Sequence, residues 1–239
     1  MKVTSTAMAT TAMTDPQIAE AVLIQTWMSP AFPTGGFSYS HALETLVEDG
    51  RATTPDDVSE WLTGVLTHGS GWTDGILCRE AWQAVSDADD ERLSGLVELA
   101  AALAGTSEFH LESTSQGDAF LRAVRAGWPD LVPTGLSDLK EVAYPIAVGA
   151  CCSAAGIGEA KTIAAFLSGV TAHLISAACR LVPLGQSDAQ RVTAAINQQV
   201  PDLVDRIIEA DFDALGSSAW AIDLASMAHE TLHTRLFRS

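Results

Sequence analysis

At 239 residues the chain is long enough for one large domain, and a globule of this size buries roughly 70% of its unfolded surface, so a core forms without disulfide or metal staples. Thirty acidic against thirteen basic side chains give a net charge of −17, which repels phosphate backbones and anionic lipid and so argues against nucleic-acid and membrane partners; a basic protein surface, or a role involving cations, fits it better. Hydrophobic residues make up 47% of the chain and aromatic ones only 6%, with Ala dominant, a composition that favours closely packed helices over a β-rich fold.

Residues 1–14 carry no continuous apolar run of the secretory kind and read as a disordered Thr/Ala-rich tail, which places the protein in the cytoplasm. Asp15-Pro16 is a helix start, Asp as N-cap and Pro at the first helical position, with Ile18, Val22, Ile24 and Trp27 as its apolar side and Pro30 as its stop. Thr54-Pro55-Asp56-Asp57 repeats that signal, followed at helical spacing by Val58, Trp61, Leu62, Val65 and Leu66 and ended by Gly69 and Gly71. A helix over 72–86 follows, and Asp89-Asp90-Glu91 then sets negative charge at the positive end of the next, whose Leu93, Leu96, Val97, Ala100 and Leu103 face a core before Gly105. The pattern predicts another helix from Ser107 to Arg125.

From Val142 to Ala178 the chain is nearly all Ala, Gly, Val, Ile and Leu, interrupted by Glu159 and Lys161. Two membrane spans would each be marginal in length and poor in Leu, so two buried central helices are the better reading, with Gly149, Ala150, Ala154 and Gly156 allowing close backbone approach. Helices at about 188–200, 201–211 and 220–236 complete a single-domain, all-α bundle of about ten helices over residues 15–239. Cys78, Cys151, Cys152 and Cys179 form no CxxC pair and suit a reducing compartment as small buried residues, and His173 inside an apolar helix is expected to be a hydrogen-bonded core histidine.

The end of the chain, HETLHTRLFRS, contains H-E-x-x-H, which on a helix would aim His229 and His233 at one zinc ion with Glu230 as general base. A zinc hydrolase is therefore the alternative function. It needs a third ligand, and the six residues that follow His233 contain no His, Glu, Asp or Cys and two arginines. Serine-hydrolase, Walker A and dinucleotide-binding glycine motifs are absent, and no metal or cofactor is implied. Two Pro/Gly turns feeding hydroxyl-rich helix starts remain unusual: SPAFPTGGFSYS (29–40) and LVPLGQSD (181–188).

Together with Asp74, SEFHLESTSQG (107–117), YPIAVGACCSAAGI (144–157) and the terminal run, these segments, extended to SPAFPTGGFSYSHALE (29–44) and LVPLGQSDAQR (181–191), resemble the urease accessory protein UreF family, in order and spacing, from about Ile18 to Ser239. His233 stands where the family commonly has tyrosine, which makes the zinc-like motif an accident of one substitution, and His110 replaces a common arginine. The resemblance implies an all-helical, non-enzymatic and often dimeric assembly factor that binds the accessory protein UreD (UreH in some systems) and recruits the GTPase UreG for nickel delivery to apo-urease. It puts Arg180, Gly185, Gln186, Ser187 and Arg235 toward the GTPase. Leu232, Leu236 and Phe237, read as a stripe on the terminal helix, it puts toward UreD.

Overall fold

The fold is that of a computed structural model, which describes residues 15–239; the expected N-terminal tail, 1–14, lies outside them. Eleven α-helices follow one another: α1 (Pro16–Trp27), α2 (Leu43–Glu48), α3 (Pro55–His68), α4 (Ser70–Ser86), α5 (Asp90–Leu103), α6 (Ser107–Gly127), α7 (Tyr144–Ala154), α8 (Glu159–Leu181), α9 (Gln186–Asn197), α10 (Val200–Glu209) and α11 (Trp220–His229). Four 3-10 turns lie in three of the connections, and the described residues contain no strand. The all-α, single-domain expectation holds.

Local capping chemistry sets several of these starts. The Asp15 carboxylate accepts from the Gln17 N–H, Thr54 and Asp57 form a reciprocal capping box, Asp89 accepts from the Arg92 N–H and Thr106 from the Phe109 N–H. Each cap satisfies one of the N–H groups that a helix start leaves unpaired. Gly69 does end α3, but α4 begins at once with Ser70, so Gly71 is helical and terminates nothing.

The centre is built by α4, α7 and α8. In α7 every residue from Tyr144 to Cys152 is buried, and the inward stripe of α8 carries Ile163, Phe166, Leu167, Leu174, Ile175 and Ala178. A Cβ at Gly149 would stand 2.1 Å from the Cys78 carbonyl oxygen, so α4 and α7 cross at a distance only glycine permits. Although α8 has the length and hydropathy to cross a bilayer, its apolar side is spent on the bundle. Arg79, buried in α4, donates to the carbonyls of Ile207 (2.5 Å) and Ala210 (2.7 Å), capping the C-terminus of α10 with a cation whose charge Glu80 balances. All four cysteines are free; Cys78, Cys151 and Cys152 are buried.

Three expectations need correction. Ile18 and Val22 of α1 face solvent, because the helix presents only its Leu23, Ile24 and Trp27 end to the core. The short α2 follows the 29–40 turn, which reads as feeding a helix start, but its extent is not predicted, since six residues hold too little periodic signal to be read. The terminal helix, expected to run to 236, stops at His229: the chain then turns, and residues 230–239 are irregular. No helical stripe of Leu232, Leu236 and Phe237 exists.

Candidate functional site

The stretch before α2 is folded under strain. His41 (φ 51°) and Ala42 (φ 66°) both occupy the left-handed region, where a side chain costs on the order of 1 kcal/mol each. Packing and hydrogen bonds hold them there: His41 sits between Glu112 of α6 (Nδ1 to Oε2, 3.3 Å) and Ser70 of α4 (Nε2 to Oγ, 2.8 Å) and stacks on Phe109. The twist lets α2 start at Leu43 with Glu44 aimed inward.

Glu44 is the hub of the chain's C-terminal end. One carboxylate oxygen accepts from the Leu236 N–H at 2.6 Å, the other from the Phe237 N–H at 3.0 Å and from His229 Nε2 at 3.0 Å. The opposite ring nitrogen of His229 meets Glu108 at 2.8 Å, so the fully buried imidazole is held by a carboxyl group on either side. Beyond Phe237 the tail runs along the 29–40 loop. The Arg238 N–H donates to the Ser38 carbonyl at 2.9 Å, Ser40 donates to the Ser239 carbonyl through both its N–H (3.0 Å) and its hydroxyl (2.5 Å), and the Ser239 hydroxyl reaches Glu112 at 2.7 Å. Residues 235–239 thus close over α2 and α6 as a clasp.

This geometry disposes of the zinc reading. His229 is the last helical residue and is sequestered between Glu44 and Glu108, while His233 lies exposed in the following turn, so the two imidazoles share no helix face. Glu230 bonds the Ser107 hydroxyl. Among the described residues no three His, Cys, Asp or Glu side chains group closely enough to hold a metal ion.

The other candidate residues are placed as follows. Arg180, in the last turn of α8, donates to the Phe37 carbonyl at 2.7 Å and lies 4.3 Å over the Phe237 ring. Gly185 is the N-cap of α9, and Gln186 and Ser187 open that helix, all three exposed. Arg235 pairs with Glu108 at 3.1 Å, its side chain 43% exposed. Of the three apolar tail residues Leu236 is exposed, Leu232 half-buried and Phe237 buried. The structure therefore joins Arg180 to Phe237, residues expected to face different partners. The carboxylates that organise the region, Glu44, Glu108 and Glu112, escaped the sequence reading, because an inward-facing glutamate has the same letter as a solvated one.

Beside the clasp lies a cavity of about 110 Å³ lined by His41, Asp74, Glu112, Gln116, His173 and Asp223 among others. Burial alone would lower the His41 pKa, but Glu112, with Asp74 and Asp223, outweighs it and the pKa is raised. Burial pushes the Asp74 carboxyl up to about 7, with His41 opposing and Glu112 adding to the shift. His173 is lowered by burial and has no hydrogen-bond partner among the described residues, so it is a cavity wall and not the bonded core histidine expected.

Comparison with known proteins adds the following. A family model described as UreF matches residues 52–197. A protein named urease accessory protein UreF from Rhodopseudomonas palustris (strain BisB5) is 46% identical over 228 residues, covering 93% of each chain. Proteins of the same name from Bradyrhizobium diazoefficiens and Methylorubrum populi are 42% and 41% identical, covering 90% and 92% of this chain and 90% and 99% of theirs.

Proposed function

The chain belongs to the UreF family of urease accessory proteins, and on that premise we propose that it is a urease maturation scaffold without a reaction of its own. In this reading it is a cytoplasmic homodimer that binds UreD (UreH), recruits the GTPase UreG and so supports nickel insertion into apo-urease. The observation that carries the proposal is the extent of the likeness, 46% identity over 228 residues and 93% of both chains.

Two surface features support the division of partners. Arg180 is presented at the end of α8 with its guanidinium fixed by the Phe37 carbonyl and the Phe237 ring, close in sequence to the exposed Gly185, Gln186 and Ser187; a fixed cation beside free backbone suits an acidic GTPase surface. Leu236, 65% exposed next to the half-buried Leu232, supplies apolar contact for UreD. Arg235 completes the GTPase-facing set in this proposal, its ion pair with Glu108 being partly open to water.

The test is reconstitution. Tagged chain should co-purify UreD and, when UreD is present, UreG, and a host lacking the gene should regain nickel-dependent urease activity on complementation. Retention of urease activity in the host lacking the gene, or failure of the tagged chain to hold either partner, would overturn the proposal.

A further inference from the structure

The polar cavity plays no part in the scaffold reading. Its walls come from separated segments: Gly36 and His41 before α2, Asp74 on α4, Glu112 and Gln116 on α6, His173 on α8 and Asp223 on α11. His41 and Glu112 satisfy one another. The Asp74 and Asp223 carboxyls have no protein hydrogen-bond partner among the described residues. Gln116, only 7% exposed, leans on Glu112 through Nε2 at 3.5 Å, which leaves its Oε1 free. That oxygen and His173 Nδ1 converge on one point, for a Cβ built on Gly36 would lie 3.0 Å from the first and 2.7 Å from the second.

These groups define a ligand by what they lack. They are acceptors, or in the case of neutral His173 can supply one, and the carboxylates outnumber the cation His41; the Phe109 and Phe166 side chains complete the wall. An anion would meet like charge. A transition metal would need three ligating side chains at bonding distance, which the described residues do not bring together. A compact cation with several N–H donors answers both the charge and the unmade hydrogen bonds, and an aromatic wall adds to its attraction. We propose that the cavity binds a small N–H-donating cation, ammonium or methylammonium, with Asp74 as its counter-charge and Gln116 and His173 as further acceptors. Gly36 keeps the point of convergence open.

The experiment uses the purified full chain, melted in increasing ammonium or methylammonium chloride, with sodium, potassium and nickel(II) chloride as comparison salts at matched ionic strength. A saturable rise in melting temperature is expected with the two ammonium salts beyond that in sodium. Because the ligand displaces the Asp74 proton, the apparent affinity should fall about tenfold per pH unit below the Asp74 pKa of about 7. Asp74→Asn should abolish the ammonium-specific rise while folding normally. Gly36→Ala, which fills the convergence point with no change of charge, should abolish it independently. The proposal is overturned if ammonium behaves as sodium does, if the response survives Asp74→Asn, or if potassium or nickel(II) alone gives the saturable rise.

Discussion

Glu44 and His229, 185 residues apart in the chain, meet at 3.0 Å in the interior, with Glu108 on the other side of the same imidazole at 2.8 Å. The contact fastens the end of α11 to α2 and α6, and Glu44 at the same time accepts the backbone of Leu236 and Phe237. A histidine that looked like a metal ligand thus serves as a buried bridge between two carboxyl groups.

Replacing His229 should therefore act on stability and not on metal content. His229→Ala removes one buried partner from each of Glu44 and Glu108, which keep the Leu236 and Phe237 N–H groups and Arg235 respectively, a loss on the order of 1–3 kcal/mol in urea unfolding. A chelator should leave the melting temperature of the unaltered chain where it was. A drop on metal removal, or a near-neutral His229→Ala, would contradict this account of the site.

Deletion of residues 235–239 removes two backbone donors to Glu44, the Phe237 ring beneath Arg180 and the Ser239 bonds to Ser40 and Glu112. The truncated chain should melt earlier, by a free energy on the order of 2–4 kcal/mol, since each unmet buried acceptor costs about 1–3 kcal/mol. Equal stability of the truncated and full chains would mean that the tail is not fastened to the body.

Arg180→Ala should separate binding from folding. The side chain is exposed and its contacts, the Ser176 and Phe37 carbonyls and one ring face, are worth about 1–2 kcal/mol together, so the helical signal and melting point should change little. Recovery of UreG in pull-downs should fall at least tenfold. A large loss of stability would instead assign Arg180 to the clasp.

Asp74 gives a pH-dependent signature. Its folded-state pKa of about 7 lies above the ordinary carboxyl value, so the folded chain holds a proton that the unfolded chain releases near pH 4. Stability is unaffected at the acid end, declines as pH rises from about 4, and levels off above about 7, at a cost on the order of 4 kcal/mol. Asp74→Asn removes this ionisation and should raise the melting temperature at pH 8 far more than at pH 4.5. Equal shifts at the two pH values would remove the assignment.

Gly149→Ala tests the crossing of α4 and α7. The added methyl would stand 2.1 Å from the Cys78 carbonyl oxygen, on backbone and not on a flexible side chain. Separating two central helices should cost about 3 kcal/mol or more and leave little folded protein at 37 °C, measured by circular dichroism.

What the amino-acid order determined by itself was everything written within a few residues. The starts at Asp15, Thr54 and Asp89 were legible because a cap and its N–H groups lie two or three positions apart, and the burial of α7 because an uninterrupted apolar run has few alternatives to the core. The family, too, was legible, in motifs whose order survives substitution. The solvent-facing Ile18 and Val22, the stop of α11 at His229 and the inward aim of Glu44, Glu108 and Glu112 were decided only by tertiary structure. The last five residues show why. Leu236, Phe237 and Arg238 are spaced as a helix would accept them, yet backbone bonds to Glu44 and Ser38, between 190 and 200 positions upstream, draw the chain out of helical geometry. A contact across that span leaves no periodicity to read: its carboxylate partner carries the same identity whether it faces water or the buried end of the chain.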